Sequence, residues 1–228
     1  MTSMTRTMTI LLAGVALPLL AGCGASEIAS PGGSGPTINI PQTPAPSPTP
    51  TPSTPGQSVA AANCPTINGN ANYLGNDGTI SGPTGSWRVC SLPSIIAQNV
   101  TLPKIAGVLY QMKGRVDVGC DGGFSAPTNA APVTSSTQGC TAANGFTLNG
   151  SGQLTSDTNV TLTIDPGVIV FAEPGATWMA VNRGNRINAA GTATQPIIFT
   201  SRENITGANN DNSMGQWGGV VLLGRAVI

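Results

Sequence analysis

The sequence predicts an all-β protein wound as a solenoid of short stacked strands, and three observations predict it. Apolar residues alternate with threonine in runs such as Val160-Thr161-Leu162-Thr163-Ile164, the two-residue period of a strand. Glycine closes a turn after such runs at Gly167, Gly184 and Gly224; the shorter step suits one coil of about twenty residues, and the longer one suits two coils or one coil carrying an insertion. No segment after residue 60 carries an apolar helical stripe over three turns, and Ser94 to Asn99 makes a single turn at most.

The elements follow in chain order. Residues 1–22 read as a secretory signal: Arg6 leads an apolar run from Met8 to Leu20, which ends in small residues. The run is too short to span a bilayer, which takes about 20 apolar residues. Behind it stands Leu20-Ala21-Gly22-Cys23, and cysteine is otherwise absent before residue 64. That string resembles the lipobox of bacterial lipoproteins. The resemblance implies cleavage before Cys23, a diacylglycerol on its thiol and a fatty acid such as palmitate on the new amine. Cys23 is then a lipidation site and the lipid bilayer a partner. Gly24, where the family's retention signal has aspartate, implies the outer membrane. The other reading is an ordinary signal peptide with a cysteine nearby.

Residues 23–58 hold the anchor and a Pro/Thr/Ser-rich linker. Proline removes the N–H and fixes φ, so the stretch from Pro31 to Gln57 is expected to be a disordered, extended tether. Residues 59–150 are expected to form a disulfide-containing N-terminal cap region. Cys64, Cys90, Cys120 and Cys140 allow three pairings in an exported chain. Cys64–Cys90 with Cys120–Cys140 is preferred because each closes a short loop. Between them Val108, Tyr110 and Met112 share one strand face, and Leu109, Gln111 and Lys113 the other. Arg115-Val116-Asp117-Val118 reads as a half-buried strand.

Residues 151–228 repeat one grammar. Strands are expected at 160–164, 168–171, 179–181, 186–189 and 220–223, with an insertion from Glu203 to Gly215. Ile197-Ile198-Phe199-Thr200 reads as a third strand of its coil. The strings LTIDPGVIVFA, AVNRGNRINAAGTATQPIIFTS and GQWGGVVLLGRAVI resemble the opening coils of right-handed parallel β-helix lipoproteins of proteobacterial envelopes. The resemblance implies that fold over roughly residues 105–228. The chain ends at Ile228 inside an expected strand, and the expectation drawn is a truncated product; the other reading is a last edge strand.

Composition narrows function. Net charge is zero and charged residues make up 8% of the chain, against about 25% in typical domains. Such a surface does not attract phosphate backbones, so nucleic acid is no expected partner. The absence of histidine removes the commonest general base and metal ligand. Two classes remain open. One is a non-catalytic envelope protein presenting a β-helical surface to polysaccharide or another envelope protein. The other is a polysaccharide lyase or glycoside hydrolase. Acids after residue 150 are Asp157, Asp165, Glu173, Glu203 and Asp211, with no two at strand-face spacing. No catalytic, cofactor-binding or metal-ligating residue is assigned. Asn68-Gly69-Asn70, Asn76-Asp77-Gly78 and Asn209 to Asn212 read as Asx-rich turns, although their oxygens suit Ca²⁺. Trp178, Trp217 and Tyr110 are read as packing residues; the other reading is stacking on sugars.

Overall fold

The computed structural model describes residues 56–225. The signal, Cys23 and most of the Pro-rich linker lie outside the described residues.

The coils form because short apolar runs, broken by glycine or Asx corners, can pair only with the coil before and after. The first described coil contributes β2 (Gly85–Ser91), β3 (Ile95–Ile96) and β4 (Val100–Leu102). The second contributes β5 (Val108–Met112), β6 (Arg115–Val118) and β7 (Thr161–Ile164). The third contributes β8 (Ile169–Ala172), β9 (Trp178–Val181) and β10 (Arg186–Asn188), and the next begins with β11 (Ile198–Ser201) and β12 (Gly219–Leu222). They stack into three sheets, β2-β5-β8-β11, β3-β6-β9-β12 and β4-β7-β10, and every pair within them is parallel. Arg88 pairs with Val108, the bare coil of about twenty residues. This is a parallel β-helix.

An antiparallel strand, β1 (Gly75–Gly82), flanks β2 and covers the first edge of its sheet. Parallel stacking therefore starts at Gly85, well inside the stretch expected as a cap. Only the segment before it, which places Ile67 and Leu74 in the core, behaves as one. The third strand of the coil is β10; Ile198 to Ser201 instead pairs with β8 and opens the next coil. The alternation read across 108–113 implied a half-buried strand. In the structure β5 is buried on both faces, because a second apolar cluster lies outside its sheet. That cluster joins Ile80, Trp87, Val89, Leu109 and Phe171, and Ile205 of the short helix α1 (Arg202–Thr206) packs on it. The larger cluster fills the lumen with Ile96, Leu102, Tyr110, Met112, Leu162, Ile164 and Met179, among others. Burying two layers per strand lets a chain with few aromatics hold a core.

Two excursions leave the coils, one between β6 and β7 and one between β11 and β12. Gly219 pairs with Trp178, so the long glycine step seen in the sequence is one coil carrying an insertion, not two coils. Cys64 is bonded to Cys90 and Cys120 to Cys140, each with Cα atoms 5.6 Å apart.

Candidate functional site

The corners that follow β6, β9 and β12 stack above one another and, with the end of β6, gather the buried polar residues Asp117, Asp121, Thr137 and Asn182. The second coil leaves β6 through Gly119, whose φ of +63 suits glycine. A Cβ there would fall 2.0 Å from Asn185 Oδ1. That closeness exists because Asn185 stitches two corners together. Its Nδ2 donates to Cys120 O at 2.9 Å, and its Oδ1 accepts from Thr158 Oγ1 at 2.7 Å and Val160 N at 2.9 Å. Asn182, fully buried, donates to Asp117 Oδ1 at 2.9 Å and to Gly119 O at 2.8 Å. Buried amides of this kind must be satisfied, and both are.

Three carboxylates converge on this wall, and each meets an arginine. Arg183 forks onto Asp121 through Nε at 2.7 Å and Nη2 at 2.6 Å. Ser136 Oγ and Gly123 N complete the Asp121 shell at 2.9 and 3.1 Å. Arg225 forks onto Asp157 at 2.6 Å through both terminal nitrogens and donates from Nε to Gly123 O at 2.9 Å. Arg115 Nη2 donates to Asp117 Oδ1 at 2.8 Å, and its guanidinium lies 5.9 Å from the Trp178 ring centre. Arg183 also covers Phe124 at 4.1 Å.

The hydrogen bonds from Arg183 hold the Asp121 carboxyl below the usual carboxylate range, against the opposing pull of burial, and Ser136 and Gly123 add to the effect. Asp121 in turn raises Arg183, and Asp157 raises Arg225. Bidentate pairs fix orientation as well as charge. The Asp121 carboxylate, held below its usual range, does not shuttle protons near neutral pH, because acid–base work needs a pKa close to the working pH.

A second polar line runs along the opposite end of β1, β5, β8 and β11. Lys113 Nζ reaches Asp77 Oδ1 at 2.5 Å. Burial works to raise the Asp77 pKa, yet the hydrogen bonds from Lys113 and Ser91 and the lysine's charge outweigh it and lower it. Gln111, itself buried, donates to Glu173, and Arg202 Nη1 donates to the same oxygen at 2.7 Å.

The residues singled out from sequence are now placed. Asp157 and Glu173 are arginine-bound. Asp165 sits in the turn before β8 and accepts no arginine; burial and its nearby charge raise the Tyr110 pKa, and the Tyr110 hydroxyl donates to Pro103 O at 2.7 Å. Glu203 has a buried Oε2 without a hydrogen-bond partner, and Asp211 is exposed. Tyr110 lies in the lumen, Trp217 packs part-buried against it, and Trp178 is half-buried beneath Arg115. Asn76 Oδ1 accepts from Gly78 N and Asn210 Oδ1 from Asn212 N, the bonds of Asx turns. Among the described residues no three His, Cys, Asp or Glu side chains cluster as metal ligands would.

Sequence reasoning missed the roles of Asp117 and Asp121 because the search for acids began after residue 150, and it missed Arg183 and Arg225 because it weighed no arginine as a carboxylate partner. Asp121 and Asp157 are brought to one place by the excursion between β6 and β7: a Cβ on Gly122 would lie 2.2 Å from Asp157 Oδ1 and 2.5 Å from Arg225 Nη2. The available signal was the pair of Gly-flanked corners Asp121-Gly122-Gly123 and Asn182-Arg183-Gly184-Asn185.

Over residues 134–228 the chain matches the family model described as the pectate-lyase-like β-helix domain. No curated protein matches it, and no solved structure does.

Proposed function

We propose that this chain is a lipid-anchored cell-envelope protein that holds a β-helical surface away from the outer membrane for binding or adhesion, to polysaccharide or to another envelope protein. The observation that carries the non-catalytic part is the pairing of the wall's carboxylates: Asp117, Asp121 and Asp157 are each engaged by an arginine. The Asp121 and Asp157 pairs serve as struts between coils, the Asp117 pair lies within β6, and together they leave no free acid–base pair there. The two disulfides support export to an oxidising compartment. The anchoring part rests on Leu20-Ala21-Gly22-Cys23 and on the Pro-rich stretch behind it. Acyl chains contribute about 0.8 kcal/mol per buried CH₂, so stable attachment takes more than one chain.

The family match is equally compatible with a second reading, a polysaccharide lyase or glycoside hydrolase. Fold alone does not choose between them. Two measurements test the proposal. Intact mass and detergent partitioning of wild type and Cys23→Ala should show loss of acylation and release from the membrane in the variant; equal partitioning sinks the anchor. Incubation with a panel of acidic and neutral polysaccharides should release neither unsaturated nor reducing ends; steady release would establish the enzyme reading.

A further inference from the structure

The first coil carries a pocket of about 560 Å³ beside β3, away from the arginine-carboxylate wall. Three separate pieces of chain build it. The segment before β1 supplies Asn70, Asn72 and Tyr73, the corner around β3 supplies Pro93, Ile95, Ala97 and Gln98, and the 3₁₀ turn Ala142–Asn144 closes the third side. Each mobile-looking wall is tied down. The Cys64–Cys90 bond fastens the first piece to β2, and Asn68 Nδ2 donates to Asn99 O at 2.7 Å. The Cys120–Cys140 bond fastens the third, where Asn144 Nδ2 donates to Gly139 O at 2.7 Å. A pocket whose walls are cross-linked is preorganised, so a ligand need not order them.

Its chemistry is specific. No carboxylate, lysine or arginine lines it, so a charged ligand would lose water without gaining a counter-charge. Four side-chain amides do line it. Those of Asn72 and Gln98 make no hydrogen bond to another described residue, and Asn70 and Asn144 each spend only one end of the amide within the chain. An amide offers a donor and an acceptor side by side, the complement of a vicinal pair of hydroxyls. Ile95, Ala97 and Pro93 supply an apolar floor for C–H groups. Tyr73 is half-buried, and its hydroxyl is shut away without a partner, its pKa pushed up to about 12 by burial. What Tyr73 presents to the pocket is therefore ring rather than hydroxyl. The volume lies within the ~300–1,000 Å³ range of small-ligand sites.

We infer that this amide-lined pocket is a binding site for a neutral saccharide unit, one to a few hexose or N-acetylhexosamine residues of a longer glycan. The inference rests on the surface-binding reading and gives it a place and a ligand class. The site lies at the first described coil of the solenoid.

The test uses the full chain with both disulfides formed, on an array of neutral and acidic oligosaccharides, followed by calorimetry with the best neutral binder. Asn72 and Gln98 are exposed, so Asn72→Ala/Gln98→Ala should fold, which unchanged thermal unfolding checks. The expected result is selective capture of neutral glycans, an affinity loss of tenfold or more in that double variant, and unchanged affinity in Tyr73→Phe. Preference for acidic glycans, no glycan capture by wild type, or equal affinity in the double variant overturns the site. The surface-binding reading is judged separately, by adhesion of cells carrying wild type against cells carrying Cys23→Ala. It survives if adhesion persists in Asn72→Ala/Gln98→Ala and is lost in Cys23→Ala, and it falls if wild type confers none.

Discussion

The two excursions from the β-helix solve one problem in opposite ways. Each breaks the parallel ladder between neighbouring coils and must be held without regular pairing. The one between β6 and β7 is cross-linked: Cys120–Cys140 closes its base, Val133 and Leu154 exchange backbone hydrogen bonds at 2.9 Å, and Phe146 and Leu154 enter the core. Asp121 and Asp157, at its two ends, are gripped by Arg183 and Arg225 from later coils. The one between β11 and β12 has no disulfide and no bidentate fork; its ionic tie is the more exposed pair of Arg202 with Glu173. Otherwise it depends on apolar contacts at Ile205 and Trp217 and on a short helix capped by Ser201 and by Gly207 at φ +74. The contrast teaches that length alone does not decide how an insertion is secured. The long one starts and ends beside buried polar corners, where covalent and ionic ties are strong; the short one crosses an apolar sheet face, where contact suffices.

The largest break in this comparison comes from the disulfide. Cys120→Ser/Cys140→Ser should lower unfolding free energy by about 3 kcal/mol on the chain-entropy model for a loop of this size. The same change should free the 3₁₀ turn that forms one wall of the pocket beside β3. Urea unfolding with and without reductant measures the first effect, and hydrogen exchange over residues 119–160 the second. Unchanged exchange there would mean that the arginine forks alone hold the excursion.

Next in size is Asp121→Asn. Asp121 is 3% exposed, whereas the Arg183 side chain keeps 15% of its surface, so the loss should fall below that of a fully buried pair, at about 2 kcal/mol. The sign with pH follows from the lowered carboxyl pKa. The stabilisation is fully present above the unfolded-state value of about 3.9 and disappears as pH falls through the lower folded-state value. Wild type should therefore lose stability below about pH 4, and the variant should lose less over the same interval. Parallel acid titrations of unfolding midpoint for the two proteins would refute the role.

Much of this architecture is legible in the sequence, and the boundary of legibility is physical. Strands such as β7, with threonine between Leu162 and Ile164, show their period because one face looks inward and the other outward. β5 hides its period because Leu109 is covered by α1 and β1, elements that touch it only through the fold. The coil length is readable at Gly167 and Gly184 because both corners need positive φ, +80 and +85. The preferred cysteine pairing matches the structure because short loops place both partners on neighbouring segments. The arginine-carboxylate wall is not readable in advance. Asp121 and Arg183 meet only after the second and third coils stack; the Gly-flanked corners that carry them mark two turns but not that the turns meet. The pocket beside β3 is hidden for the same reason, since its amides come from three segments.

The smallest effect belongs to the loosely held excursion, and it sharpens the comparison most. Ile205 is part-buried, one of two such residues flanking the outer cluster, so Ile205→Ala forfeits only part of a core isoleucine's contribution, about 1 kcal/mol. Its backbone carbonyl is also close to the β1–β2 turn: a Cβ on Gly82 would lie 1.9 Å from Ile205 O, and one on Gly207 2.6 Å from Pro83 Cγ. The helix is thus wedged against a turn three coils away in sequence, with the apolar contact drawing it down. If apolar contact is the main hold on this excursion, with the exposed Arg202–Glu173 pair adding little, Ile205→Ala should raise hydrogen exchange across residues 202–217 by several-fold while leaving 119–160 unchanged. The same substitution should uncover Leu109 and Phe171, read as binding of a hydrophobic dye. A uniform rise in exchange over both excursions would show instead that they share one cooperative unit, and the division between tied and merely seated insertions would collapse.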